Sequence, residues 1–80
     1  MYEWTYTAEA DRGADVTHGG TVVDVCRDAR GCYWVGLTHY VQPNDWTFEP
    51  RYAWDRLRDA EWDADRWARE IAADARIMAR

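Results

Sequence analysis

Tyr2, Trp4, Tyr6 and Ala8 alternate with Glu3, Thr5, Thr7 and Glu9. This is the period-two pattern of a strand with one aromatic face and one wet face. A second strand pattern covers about residues 21–27 and a third about 32–40, with Gly13, Gly19 and Gly20 marking 11–20 as a loop. Between the second and third strands, Asp28-Ala29-Arg30-Gly31 offers Asp at the first position of a type I turn and Gly where a left-handed residue closes it. That turn pairs Val25 with Val35 and Val23 with Leu37. Both pairs and Tyr33 then share one face, while Cys26, Cys32, Trp34, Gly36 and Thr38 share the other.

The period changes in residues 51–80, which contain neither Gly nor Pro. Leu57, Ala60, Ala64, Trp67, Ala68, Ile71, Ala75 and Met78 fall on one stripe at helical spacing, and Trp62 and Ile77 fall opposite, among Asp55, Asp59, Asp63, Arg66 and Glu70. Residues 41–50 read as a connector carrying Pro43, Asn44 and Asp45, with Trp46 and Phe48 folded back on the core. Pro50 suits a first helical turn, where its missing N–H costs no hydrogen bond. A straight helix from Pro50 to Met78 would be roughly 43 Å long. It is therefore either continuous or divided near Asp59, a capable N-cap. The expected fold is α+β: a three-stranded antiparallel meander (1–40), a connector (41–50) and a C-terminal helical segment (51–80) packed on one sheet face, all in one domain spanning 1–80.

Eighty residues limit the chain to one modest core. Six Trp and five Tyr supply much of its area. With 48% hydrophobic residues and a net charge of -5, the composition is that of a folded chain. There is no apolar run long enough for a membrane span and no secretory signal at Met1-Tyr2-Glu3-Trp4, so a cytoplasmic location is expected.

Charge narrows the partners. The first fifty residues hold eight acids against three Arg; the last thirty hold seven of each. The acidity belongs to the sheet half, which disfavours direct nucleic-acid binding and suits a basic protein surface. All ten basic residues are Arg, which fits a coding bias and also bidentate contacts to a partner.

Catalytic and metal chemistry find little support. Cys26 and Cys32 lie diagonally across the hairpin and read as free thiols. His18, Cys26, Cys32 and His39 match no zinc-knuckle spacing, and His39 points away from both Cys. Gly19-Gly20 lacks the helix and Lys of a phosphate loop. The helix carboxylates sit on an open convex face where nothing raises a pKa. The expectation is a protein that is not an enzyme and needs no cofactor.

Contact surfaces are better marked. Asp55, Asp59, Asp63, Glu70 and Asp74 form an acidic stripe beside Arg58, Arg69 and Arg76, with Asp65 spaced to pair with Arg69. An aromatic among such charges has the composition of an interface anchor. Trp62 and Ile77 with Asp55, Asp59, Asp63, Glu70 and Asp74 are therefore the first partner-binding candidates. Trp34, on the sheet face away from the helix, is another: with Val22 over an acidic rim it forms a second patch unless Trp46 and Phe48 cover it.

Length, acidity, aromatic richness and layout, with no shared motif, resemble the small phage-encoded anti-CRISPR proteins. The resemblance implies inhibition by binding a CRISPR effector complex, at its Arg/Lys-lined channel or its nuclease-recruiting site. Because the helix is electrically neutral, a mixed apolar and acidic wedge fits better than a full mimic of DNA. The alternatives are an acidic antitoxin or a dimerising accessory subunit, as monomer or homodimer, and a small-ligand sensor with an aromatic pocket between sheet and helix.

Overall fold

The Asp28 turn forms the expected hairpin. Its carboxylate oxygen Oδ1 accepts the backbone N–H groups of Arg30 and Cys32, both at 2.9 Å. Gly31 takes the left-handed backbone conformation at φ 88°, which glycine adopts without steric cost. Strands β2 (Gly20–Arg27) and β3 (Tyr33–Gln42) then pair with Val25 opposite Val35 and Val23 opposite Leu37. The structure is a computed structural model that describes residues 1–11, 20–42 and 45–78, with side chains described for 1–10, 21–40 and 45–74.

The sheet is antiparallel with four strands, in the order β1-β2-β3-β4, one more than the pattern suggests. β1 is Glu3–Thr7, and β4 is Asp45–Trp54, where the sequence reads as connector and first helical turn. Pro50 caused that misreading. A proline cannot donate to a ladder and so seems to forbid a strand, but β4 is an edge strand and tolerates it. Pro50 lies opposite Gly36. A Cβ at Gly36 would stand 2.8 Å from the Phe48 ring and closer still to the Glu49 carbonyl oxygen, so only glycine lets β4 approach here.

Each edge strand carries an extra residue. Thr5 is unmatched in β1, because Trp4 faces Cys26 and Tyr6 faces Val25. Arg51 is unmatched in β4, because Pro50 faces Gly36 and Tyr52 faces Val35. Such bulges bend a strand and increase its twist. The bulge at Thr5 also breaks the expected single aromatic face of β1: Trp4 goes to the face of Cys26 and Tyr6 to the face of Val25. The sheet coils until its two edges meet over the first of these faces, where the Tyr2 and Phe48 rings contact edge-on with centroids 5.3 Å apart.

The other face carries the main core. Val23, Val25 and Val35 are buried with Ala8 against Ala60, Ala64 and Ala68 of helix α1, Leu57–Met78. Alanines at i, i+4 and i+8 bring the helix axis close to the sheet, and each buried Val contributes about 1.5–3 kcal/mol. α1 is continuous, and Asp59 lies in its first turn, not at a break. Asp65 accepts the Tyr6 hydroxyl at 3.0 Å and the Glu9 N–H, which ties the helix to β1 and the 3-10 turn Glu9–Asp11. This bond takes up the carboxylate assigned above to an ion pair with Arg69. The space between the middle of the sheet and the helix is filled chiefly by Val and Ala. Among the described residues no helix is long and apolar enough to cross a membrane.

Candidate protein-contact site

A groove of about 600 Å³ runs between β4 and α1, lined by Arg51, Tyr52, Ala53, Trp54, Asp63, Arg66, Trp67 and Glu70. Its strand wall comes from the bulged half of β4. Tyr52 is on the helix-side face but is 54% exposed, because α1 packs mainly over the middle of the sheet and leaves this edge uncovered. The Tyr52 ring meets Trp67 edge-on, centroids 5.9 Å apart. The outer edge of β4 pairs with no strand among the described residues.

The helix wall is organised around Arg66. One of its nitrogens donates to Asp63 Oδ1 at 3.0 Å, and another approaches Glu70 at 3.6 Å. The hydrogen bond to Asp63, and to a lesser degree the charge of Glu70, hold the guanidinium pKa above its ordinary value. The guanidinium also lies over the Trp62 ring, 5.3 Å from its centroid, a cation–π geometry. Trp62 is 61% exposed, so Arg66 joins an outward aromatic to the groove. Trp62, Arg66, Trp67 and Tyr52 form one contiguous patch of the residue types that dominate interface hot spots.

The structure brings Trp62, Asp63 and Glu70 together here and separates the other candidates. Asp63 does not belong to a wet face: it is 5% exposed and accepts the Trp54 indole N–H at 3.0 Å. Its charge is already matched within the fold, so the acidic stripe is shorter than the spacing suggests. Asp55 precedes the helix and is exposed, Asp59 lies 4.0 Å from Arg58, and Asp74 is exposed beyond Glu70. The side chain of Ile77 lies outside the described residues, as does His18.

Trp34 is on the face away from the helix, as expected, opposite Ala53, while Trp46 and Phe48 stand opposite Tyr40 and Thr38 on the same face. Trp34 is half-buried, and its indole donates to Asp28 Oδ2 at 2.9 Å. Val22, its supposed neighbour in a patch, is buried. Trp34 therefore braces the hairpin turn.

Tyr52 and Trp67 escaped the sequence reading as site residues. The signal that could have found Tyr52 was the alternation Trp46, Phe48 and then, past one extra residue, Tyr52 and Trp54. Cys26 and Cys32 are free thiols; Cys26 is buried and Cys32 donates to the Trp54 carbonyl at 3.6 Å. His39 contacts Thr21 at 3.0 Å and Glu49 at 3.4 Å. Compared with protein-family models, with characterised proteins and with solved structures, the chain matches none.

Proposed function

We propose that this chain is a non-catalytic binding protein that engages another protein through the β4–α1 groove and the adjoining Trp62. The observation that carries this reading is the continuity of four contact-prone side chains. Tyr52 and Trp67 meet edge-on at the groove, and Arg66 spans from the groove to a largely exposed Trp62. A core gains nothing from an exposed indole, whereas an aromatic and Arg patch beside carboxylates suits a partner with apolar pockets and basic rims.

The overall charge of -5 favours a partner with a basic, nucleic-acid-handling surface. An anti-CRISPR-type inhibitor that blocks target-DNA binding or nuclease recruitment by an effector complex is the specific form proposed, and the bacterial cytoplasm is where it would act. Asp55, Asp59, Glu70 and Asp74 would flank the anchor, and Asp63 would hold Arg66 in place. The test is target-DNA binding by purified guide-loaded effector complexes with increasing amounts of this protein. Inhibition that weakens as salt rises supports the proposal; complexes that load DNA equally well with and without the protein refute it.

A second reading, self-association, is favoured by the ten-residue edge strand β4. An edge of that length is a template for pairing with another copy, restrained here by Pro50 and the Arg51 bulge. Light scattering distinguishes it: a doubled mass that Tyr52→Glu or Trp62→Glu reduces to the monomer would favour a dimerising subunit.

A further inference from the structure

An exposed tryptophan on a helix ordinarily moves among rotamers, because nothing in water selects one orientation. Trp62 is 61% exposed, yet one side of its ring is taken: the Arg66 guanidinium lies 5.3 Å from its centroid. A lone cation–π contact at such exposure is weak, and a long arginine side chain loses freedom in making it. Here that freedom is already lost. Asp63 and Glu70 stand three and four residues from Arg66, the spacings that bring helix side chains together. One terminal nitrogen of Arg66 donates to Asp63 Oδ1 at 3.0 Å, and the other lies 3.6 Å from Glu70.

Asp63 in turn is fixed from the sheet. It is 5% exposed, and its second oxygen accepts the Trp54 indole N–H at 3.0 Å, where β4 ends. A path of direct contacts therefore runs from Trp54 through Asp63 and Arg66 to Trp62, from the end of the edge strand to the outward ring.

We propose that Asp63 is a positioning residue for Trp62: through Arg66 it holds the exposed indole in one orientation in the free chain. Simpler roles fit less well. As an acceptor for Trp54 alone, Asp63 would have no use for its second oxygen, which is turned to Arg66. As a free cation for a partner, Arg66 would offer little, since Asp63 and Glu70 already match its charge. Immobilising a rotamer-rich side chain on binding costs about two- to tenfold in affinity, and a ring already held escapes that cost. The orientation is a property of the free chain; its effect on affinity rests on the protein-binding reading.

Fluorine NMR of the intact chain, grown with fluorinated tryptophan, reads the orientation directly, and Trp62→Phe assigns the Trp62 resonance among the six. In the wild type that resonance should lie away from the free amino acid's position and relax with the folded body. Arg66→Ala removes the cover from the ring. Asp63→Asn offers one carbonyl oxygen to two donors; the part-buried Trp54 N–H claims it, because Arg66 can turn to water. In both variants the Trp62 resonance should move toward the free position and narrow, and the double variant should move it no further than Arg66→Ala alone. Arg66 is half exposed, so Arg66→Ala folds and decides the matter if Asp63→Asn does not. In the DNA-loading assay, Asp63→Asn should inhibit about two- to tenfold more weakly, although a residue so buried meets no partner directly. A wild-type Trp62 resonance at the free position, or one that Arg66→Ala or a folded Asp63→Asn leaves in place, would overturn the proposal. A wild type that inhibits nothing would refute the protein-binding reading instead, and the fluorine result would still decide the positioning.

Discussion

Trp54 and Asp63 are joined across the corner between β4 and α1, the indole Nε1 donating to the carboxylate Oδ2 at 3.0 Å. The other oxygen of Asp63 takes the Arg66 guanidinium, also at 3.0 Å. One buried carboxylate thus fixes the end of the edge strand and the main cation of the groove. Asp63→Ala removes the acceptor and strands a part-buried indole N–H, so a loss of ~1–3 kcal/mol is expected in urea denaturation. Asp63→Asn retains an acceptor for Trp54 and should lose less. If Asp63→Ala unfolds at the wild-type midpoint, the corner is not held in this way.

The hairpin turn should make stability sensitive to acid. The Asp28 carboxyl is held below its ordinary value of 3.8, chiefly by the Trp34 indole N–H and then by the Cys32 backbone N–H. A depressed pKa contributes stability that is present above the unfolded value and disappears as pH falls through the folded one. The difference in melting temperature between the wild type and Asp28→Ala should therefore be full at neutral pH and shrink below about pH 4. A gap that is unchanged at pH 2.5 would show that the ionised carboxylate is not what the turn uses.

Gly36 is required by the close approach of β4, since its own backbone conformation is one that any residue can adopt. Gly36→Ala places a methyl group against the Glu49 carbonyl and the Phe48 ring. Backbone cannot swing aside as a flexible side chain can, so a loss of at least ~1–3 kcal/mol is expected. Circular dichroism with urea titration measures it; wild-type stability would mean that β4 does not lie where the structure places it.

The two thiols should behave differently. Cys26 is buried and its pKa is raised to about 12, so almost no reactive thiolate exists near neutral pH. Cys32 is half-buried at the surface turn. Native protein should react with a disulfide reagent at one thiol per chain quickly, and at the second only after denaturant is added. Two equally fast thiols would contradict the burial of this face.

How much of this is legible in the sequence depends on which residues carry the signal. The hairpin is, because Asp28 and Gly31 prescribe one turn and the turn prescribes the register. The Ala60, Ala64 and Ala68 face of the helix is, because only that spacing puts three small apolar residues in line. β4 is not, because Pro50 looks like a helix start until the strand is known to lie at an edge. The faces of β1 are not, because no residue type announces an unmatched Thr5, and one extra residue reverses every side chain beyond it. Trp62 is correctly read as outward. Its connection to Tyr52 through Arg66 and Trp67 depends on β4, so the groove was out of reach without that strand.

The central claim is that the exposed members of the patch, Tyr52 and Trp62, serve binding and not folding. Its most direct test pairs thermal melts with inhibition of target-DNA binding by an effector complex, using Trp62→Ala and Tyr52→Ala. Both variants should melt close to the wild type, within about 1 kcal/mol, and inhibit at least tenfold more weakly, as expected when a hot-spot anchor is lost. Inhibition equal to the wild type, or a fall in stability large enough to explain its loss, would contradict it.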